Sequence, residues 1–314
     1  ATTDVFSVFE RQFHRTVSAN LGTSYSVCNV LAASGFNNVA RWVPFDMDEI
    51  NLTNRIGNKM IRPTTIPQSL EALIIEQAIA REALRLSFEQ HKEFAVHLKG
   101  VQTERTISDA FEQTSSGETL VNLMELDMLV GSGGVLSHAP RRHQAARMLI
   151  DAFLPEGVTQ LAVDSIFMMP QLGILSTIHP KAAVEVFEKD CLIRLGTCIA
   201  PVGKAKSDQV MLQYEISLPD QRIAGDLKFG ELKLIPAPFE SLQAKFTPGK
   251  GLDIGAGKNE VLETNIYGGV VGIILDARGR QPFNLMDNTE DRVSQLKKWS
   301  EETGEYPQLE NSNV

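Results

Sequence analysis

A glycine-rich turn stands between an apolar run and a predicted helix in the stretch Leu126–Arg142, LDMLVGSGGVLSHAPRR. Glycine has no Cβ and tolerates positive φ, so such a turn lets another group approach the backbone closely. Free N–H groups at the start of a helix also favour anionic groups. The turn therefore suits a nucleotide, although tight packing of a strand against a helix explains it equally well. Its four residues are Gly131, Ser132, Gly133 and Gly134.

The spacing of these glycines excludes two common nucleotide-binding motifs. Leu136 stands where the third glycine of G-x-G-x-x-G would be, so the stretch is not a dinucleotide fingerprint. The P-loop pattern G-x-x-x-x-G-K-[ST] occurs nowhere in the chain. A nucleotide would thus need a different type of site.

A second candidate stretch is the polar start of the sequence, where Thr2, Thr3 and Asp4 precede an alternating apolar segment. The alternation predicts a β-hairpin with its turn at FERQF. Two hydroxyls at the head of a hairpin can contact a phosphate, and Asp4 can lie near a hydrated Mg²⁺. An ordinary polar start of a strand is the alternative interpretation of these residues.

Histidine and cysteine patterns give no further catalytic candidate. His138 and His143 are five residues apart, which is not the i, i+4 spacing of a helical zinc site, so no protein-ligated metal is predicted. Cys28 lies in an apolar stretch without a basic neighbour to lower its pKa. Asp276, Arg278 and Arg280 of DARGR fit an interaction site or a charged hairpin turn equally well.

Composition limits the class of protein. The chain of 314 residues has a net charge of −9 and a pI near 5.3, which argues against nucleic acids and acidic membranes as partners. No apolar run is long enough to span a membrane. Three cysteines form no CxxC pair and no even disulfide framework, so reduced thiols in a cytoplasmic protein are expected.

The order of predicted elements indicates an α/β class followed by a β class. Strands and helices alternate over residues 1–205, with a helical insertion at about 23–92. Residues 206–286 show short strands separated by turns and predict a separate small β-barrel or sandwich. A C-terminal helix, capped by Asn288 or Thr289, and a polar tail complete the chain at 287–314.

Within the helical insertion the strongest helix is predicted at about 67–92, where Thr65–Gln68 fits a capping box. Residues 36–64 are expected to be irregular. The alternation over 93–108 predicts strands around Gly100.

The hairpin and the glycine turn, in this order, resemble two motifs of the actin, hexokinase and Hsp70 superfamily of ATPases. Three longer strings are similar to the MutL family of accessory proteins encoded with adenosylcobalamin-dependent glutamate mutase. They are NKMIRPTTIPQSLEALIIEQAIAREALRL, VGSGGVLSHAP and GGVVGIILDARGRQP. The resemblance covers most of the chain. The Asp-x-Gly-Gly that precedes the hairpin threonines in the superfamily motif is missing, as is the first lobe, so a C-terminal portion of a longer protein is expected.

The resemblance implies a fold, ligands and partners. The fold would be the second, ribonuclease H-like lobe of an actin-like ATPase, with ATP or ADP and Mg²⁺ as ligands. Thr2 and Thr3 would bind phosphate, Asp4 would orient Mg²⁺ or the attacking water as the catalytic residue, and the glycine turn would cradle the adenosine. The partners would be the missing N-terminal lobe and the subunits of a cobalamin-dependent glutamate mutase or aminomutase. Without that lobe the chain would hydrolyse ATP poorly.

A chaperone-like accessory protein that reactivates such a mutase is thus the first functional hypothesis. The second is a non-catalytic interaction scaffold in which the glycine turn serves only for packing. A metabolic enzyme is disfavoured because the sequence shows no recognisable catalytic constellation.

Overall fold

The computed structural model describes residues 2–9, 11–95, 119–280, 283, 285–286 and 288–307. The chain divides into two compact units. Unit 1 comprises Ala1–Val39 and Asp48–Asn122, and unit 2 comprises Ala40–Met47 and Leu123–Val314. The two units differ in architecture, since a hairpin with helices forms unit 1 and two sheets with helices form unit 2.

Unit 1 begins with the predicted hairpin. Strand β1, Thr3–Phe9, pairs antiparallel with strand β2, Gln12–Ser18. Arg11 lies in the turn with a positive φ of 63°. The alternating pattern of the sequence therefore correctly predicted both strands and the position of the turn.

Four helices follow the hairpin. They are α1 (Val27–Ser34), α2 (Phe36–Ala40), α3 (Glu49–Ile61) and α4 (Leu70–Phe94). Helix α4 confirms the helix predicted at about 67–92. Its N-cap is Ser69, whose hydroxyl accepts from Ala72 N at 3.2 Å, so the capping box predicted at Thr65–Gln68 is wrong.

The sequence pattern missed helix α3, because residues 36–64 were expected to be irregular. Asp48 caps this helix by accepting from Asn51 N at 2.8 Å, and its buried residues are Leu52 and Ile56. Leu52, Ile56 and Met60 recur at every fourth position of this polar segment, so a helical period is present in the sequence and the expectation of irregular structure was wrong. Strands were also expected over 93–108. Residues 93–94 end α4, and residues 96–108 lie outside the described part of the chain.

Unit 2 contains a five-stranded mixed sheet in the order β3-β4-β5-β11-β8. Strands β3 and β4 are parallel, as are β5 and β11, whereas β4 and β5 and also β11 and β8 are antiparallel. These strands are β3 (Met128–Gly131), β4 (Gly157–Asp164), β5 (Leu192–Ala200), β8 (Leu232–Ile235) and β11 (Gly272–Asp276).

The second sheet of unit 2 has four antiparallel strands in the order β10-β9-β6-β7. They are β6 (Val210–Ser217), β7 (Arg222–Lys228), β9 (Ser241–Pro248) and β10 (Leu262–Tyr267). Residues 206–286 were expected to form a separate barrel or sandwich, and the structure differs in two ways. The four strands form an open sheet and not a barrel, while β8 and β11 from the same segment join the five-stranded sheet.

The two sheets of unit 2 share one apolar core, which explains why the predicted boundary near residue 205 does not separate them. Ile273 and Leu275 of β11 pack in this core with Met211, Tyr214 and Phe246 from the four-stranded sheet. All five residues of β11 are buried, as expected for a strand covered on both faces.

Helices cover the other face of the five-stranded sheet. Helix α6 packs against β3, β4 and β5, and α9 packs against β8. Asn288 caps α9 by accepting from Glu290 N at 2.8 Å, which confirms the predicted C-terminal helix and its cap. The helices of unit 2 are α5 (Gly134–Ser137), α6 (Arg142–Phe153), α7 (Met169–Ser176), α8 (Pro180–Val186) and α9 (Thr289–Thr303).

Candidate functional site

The glycine turn has the strand–turn–helix geometry that the sequence predicted. Strand β3 ends at Gly131, and Gly133 adopts a φ of 98° immediately before α5 begins at Gly134. This φ favours glycine, because a side chain with a Cβ is strained there. A Cβ added at Gly133 or at Gly134 would meet no atom within 4 Å. The backbone at these two residues is therefore open to the approach of another group.

Gly131 is different, because its missing side chain is explained by packing. A Cβ at this position would lie 2.8 Å from Leu136 Cδ1 and 3.1 Å from Leu149 Cδ2. Gly131 is itself buried. Leu136 occupies the position of the third glycine in G-x-G-x-x-G, and its side chain packs against the end of β3 at Gly131. Gly131, one residue of the predicted adenosine site, is thus required for the packing of β3 against α5 and α6.

Asp164 is a residue of this region that the sequence analysis missed. It lies at the C-terminal end of β4, the strand parallel to β3, and it is completely buried. Ser132 Oγ donates to Asp164 Oδ2 at 3.4 Å, and Ser137 Oγ donates to the Asp164 carbonyl at 2.5 Å. Asp164 therefore connects the glycine turn and the end of α5 to β4. Only its place after a buried apolar strand marks it in the sequence.

The same carboxylate also fixes the start of α7. Its Oδ1 accepts from Met168 N at 3.2 Å, and its Oδ2 accepts from Met169 N at 3.1 Å. Backbone N–H groups at a helix start need such acceptors. Asp164 thereby links the glycine turn to the α7 region through a few hydrogen bonds.

Helix α5 is only four residues long, so it adds little helix dipole to the turn. For Arg141 and Arg142, which follow it, the sequence allows solvated side chains or contacts with phosphate or adenine. Arg142 Nη1 instead donates to the Ser137 carbonyl at 2.6 Å, and the exposed Arg141 donates to the Gly304 carbonyl at 3.1 Å. Both guanidinium groups thus have bonds within unit 2 and reinforce the local fold.

The hairpin residues lie in unit 1, whereas the glycine turn lies in unit 2. Thr2 is exposed. Thr3 Oγ1 donates to the Leu21 carbonyl at 2.5 Å, so its hydroxyl proton is already engaged. Asp4 Oδ2 accepts from Arg15 Nη2 at 2.9 Å. Among the described residues, Asp4 Oδ1 is buried without a hydrogen-bond partner.

No cluster of three or more histidine, cysteine or acidic side chains able to hold a metal ion occurs within the described ranges. The described helices also include none that is long and apolar enough to cross a membrane. The three cysteines are free thiols, with Cys191 and Cys198 buried and Cys28 half-buried.

The DARGR stretch forms a buried ionic cluster and not an exposed site. Arg278 is completely buried and donates to both carboxylate oxygens of Asp276, at 2.9 and 2.8 Å, and to Asp151 Oδ1 of α6 at 2.7 Å. Arg280 Nη2 donates to Asp276 Oδ2 at 3.0 Å. Both sequence interpretations, an interaction site and a charged hairpin turn, are therefore wrong.

Electrostatics and aromatic rings stabilise this cluster. Burial would raise the pKa of Asp276, but Arg278 and Arg280 hold it well below its usual range. The Arg278 guanidinium carbon lies 5.0 Å from the ring centroid of Phe283 and 4.9 Å from that of Trp299. These cation–π contacts and the paired carboxylates offset the free-energy cost of removing the Arg278 guanidinium from water.

Comparison with known proteins gives a match that covers about the first three fifths of the chain. The family model described as MutL protein matches residues 1–191. The match includes the hairpin, helix α4, the glycine turn and helices α7 and α8. No curated protein and no solved structure matches the chain. Since the family model matches more than half of the chain, the chain belongs to the MutL family of glutamate mutase accessory proteins.

Proposed function

We propose that this protein binds ATP and acts as a chaperone-like accessory protein that reactivates a cobalamin-dependent glutamate mutase. The observation that carries the proposal is the open backbone at Gly133 and Gly134, directly after strand β3. A ligand that stacks against a backbone needs such an opening. Adenosine fits because it presents a flat ring and a ribose with hydroxyl groups.

Each residue of the turn has a distinct role in this proposal. Gly133 and Gly134 present the backbone to the adenosine, and Gly131 lets the turn lie close to Leu136 and Leu149. Ser132 is oriented by its bond to Asp164. The shape of the turn is thus held by buried groups, so little ordering is needed when a ligand binds.

The hairpin keeps the phosphate role that the resemblance to the superfamily implies, with one change. Because Thr3 donates its proton to Leu21, the Thr2 hydroxyl and the hairpin backbone are the donors left for a phosphate. The buried and unpartnered Asp4 Oδ1 fits a hydrated Mg²⁺, as far as the described residues show. When bound, Mg²⁺ would neutralise phosphate charge, while Asp4 would accept hydrogen bonds from its water ligands.

The accessory role in this proposal depends on a change of protein conformation between the ATP-bound and the ADP-bound forms. A ligand shifts a conformational equilibrium only by its differential affinity for the two states. We infer that ATP favours a closed state and ADP an open state, with a further lobe of the same protein completing the nucleotide site. The change of state would act on mutase subunits and promote exchange of damaged cofactor.

The test compares two glycines that are equally open. A Cβ at Gly134 or at Gly57 of α3 would meet nothing within 4 Å, and neither residue has a positive φ. Gly134→Val and Gly57→Val should therefore both fold, as checked by circular dichroism. Calorimetric titration of Mg-ATP and Mg-ADP, with the upstream lobe included, should show at least about tenfold weaker binding for Gly134→Val alone. A well-folded protein that binds neither nucleotide would refute the proposal.

An interaction scaffold remains the second candidate function, and the packing of Gly131 favours it. This contact shows that at least one glycine of the turn is required by the fold itself. If Gly134→Val and the unaltered protein behave identically with both nucleotides while both still bind the mutase, the scaffold is the better description.

A further inference from the structure

Helices α7 and α8 and the turns beside α7 expose an unusual number of apolar side chains. Five of them are more than half exposed: Ile166 and Phe167 before α7, Ile174 in α7, Ile178 after α7, and Val184 in α8. Met169 and Val186 are each 37% exposed. Scattered exposed apolar residues are normal in soluble proteins, but several on one short pair of helices mark an interaction surface.

The most exposed of them are Ile174 in α7 and Ile178 in the turn that follows this helix, each 72% exposed. Thr177 N donates to the Ile174 carbonyl and Ile178 N to the Leu175 carbonyl, so this turn is hydrogen-bonded to the end of the helix. Leu172 is on the opposite side, where it packs with Ala183 and Cys191. We call Phe167, Ile174 and Ile178 the α7 surface.

The backbone at Phe167 indicates that this part of the surface has a fixed conformation. Its φ of 57° is unfavourable for a residue with a Cβ, and its ring is 56% exposed, so burial does not compensate the strain. The hydrogen bonds from Met168 N and Met169 N to Asp164 fix the backbone directly after it. A strained exposed aromatic residue beside a buried anchor is suited to contact another molecule.

The charge of the segment indicates the chemistry of that molecule. Residues 165–180 contain no Asp, Glu, Lys or Arg, although 22% of the whole chain is charged. Lys181 and Glu185 of α8, which follow this segment, form an exposed ion pair with each other at 3.8 Å. A charged partner surface would lose hydration here without gaining a counter-charge. An anionic lipid surface is likewise disfavoured, since the segment offers no basic side chain. The complementary partner is an uncharged, apolar protein surface.

We propose that the α7 surface docks an uncharged, apolar face of a glutamate mutase subunit. The partner follows from the family to which the chain belongs, and the surface lies within the matched residues 1–191. The proposal does not depend on nucleotide binding, because docking requires only the apolar side chains. Absence of mutase binding would therefore contradict this proposal, whereas absence of nucleotide binding would contradict the ATP proposal.

The chain offers a closely matched control for the test. Ile61 and Ile66 are also each 72% exposed, but they belong to unit 1. The variants Ile174→Lys/Ile178→Lys and Ile61→Lys/Ile66→Lys thus place the same charges at equally exposed isoleucines. Binding of the purified subunits of the glutamate mutase encoded with this protein is measured by calorimetry. We expect at least tenfold weaker binding for the first variant and less than twofold change for the second.

A further variant, Ile174→Glu/Ile178→Glu, tests whether burial of apolar area or charge attraction drives docking. Both the lysine and the glutamate variants should lose binding, while their thermal unfolding stays within a few degrees of the unaltered protein.

Four results would overturn the proposal. One is a protein that binds no mutase subunit, and another is an equal effect of the control variant. The third is self-association of the unaltered protein in sedimentation that the lysine variant abolishes, since the occupant is then a second copy. The fourth is binding to neutral phosphatidylcholine vesicles that the lysine variant abolishes, since the occupant is then a lipid.

Discussion

Arg278 Nη1 donates a hydrogen bond to Asp151 Oδ1 over 2.7 Å, although the two residues are 127 positions apart in the sequence. Asp151 belongs to α6, the helix that follows the glycine turn and α5. Arg278 lies two residues after β11, the strand that pairs with both β5 and β8. The bond therefore ties the helix next to the candidate site to the end of an inner strand of the five-stranded sheet.

Removal of the Arg278 side chain should strongly destabilise the protein. Arg278→Ala leaves the carboxylates of Asp276 and Asp151 buried without their main partner, which costs about 3 to 5 kcal/mol in comparable cases. Urea unfolding, followed by circular dichroism, measures the loss. The matched control is Arg222→Ala, which breaks the exposed pair with Glu215 and should cost at most about 1 kcal/mol. Equal losses in the two variants would contradict a structural role of the buried cluster.

Gly131→Ala should destabilise the protein through overpacking and not through backbone strain. The new Cβ would press on the ends of the Leu136 and Leu149 side chains, which can shift, so we expect a loss of about 1 to 2 kcal/mol. Thermal unfolding gives the value. The double variant Gly131→Ala/Leu136→Ala removes the closest atom, and the two substitutions should be less than additive. Full additivity would show that the contact with Leu136 is unimportant.

The sequence predicted those elements whose signal is local. The alternation of β1 and β2 and the apolar stripe of α4 each lie within one continuous segment, so their periods are visible in the sequence. The glycine turn was predicted for the same reason, since a strand, a turn and a helix follow each other there.

Features that depend on distant partners were missed. The five buried residues of β11 show an apolar strand, but which sheet it joins is decided by its pairing with β5 and β8. The charges of DARGR indicate exposure in isolation, and Asp151, more than a hundred residues earlier, makes their burial possible. Asp164 was missed because one acidic residue after a strand has no distinctive spacing.

Unit 1 should lose stability as the pH falls, because His91 of α4 is buried against the hairpin. Its Nε2 lies 2.7 Å from Ser7 Oγ and its Nδ1 lies 3.0 Å from Thr16 Oγ1. Burial, and to a lesser extent the charge of His14, lower the pKa of His91 below its ordinary value of 6.5. The unfolded chain then takes up the proton first, so the free energy of unfolding decreases as the pH falls through this value.

The measurement for His91 is the urea midpoint at about pH 7.5 and about pH 5.5. The unaltered protein should show a larger decrease than His91→Gln, which cannot become charged. The control is His138→Gln, which replaces an exposed histidine. This control should show the same pH dependence of the urea midpoint as the unaltered protein. If His91→Gln keeps the full pH dependence, other groups cause it.

Cys198 should resist alkylation in the folded protein. Burial and, to a lesser extent, the carboxylate of Asp276 raise the pKa of its thiol to about 12, against the opposing effect of the nearby arginines. Cys191 is buried as well, whereas Cys28 is half-buried. Iodoacetamide at about pH 8 should therefore label Cys28 first in a peptide map, and early labelling of Cys198 would contradict its burial.

Asp164 should matter for both stability and the candidate site, and the two effects can be separated. Asp164→Ala leaves the N–H groups of Met168 and Met169 without their acceptor, at a cost of about 1 to 3 kcal/mol. It also releases the Ser132 hydroxyl, so nucleotide affinity should fall if the turn binds adenosine.

The matched control for Asp164 is Asp253→Ala. The Asp253 carboxylate accepts from two backbone N–H groups, those of Gly255 at 2.7 Å and Gly257 at 3.1 Å, but it contacts no residue of the glycine turn in the described hydrogen bonds. Both variants should lower the unfolding temperature, because each removes an acceptor from a loop. Only Asp164→Ala should weaken the binding of Mg-ATP in calorimetry. A similar loss of affinity in both variants would mean that general destabilisation, and not the position of Ser132, controls the binding of the nucleotide.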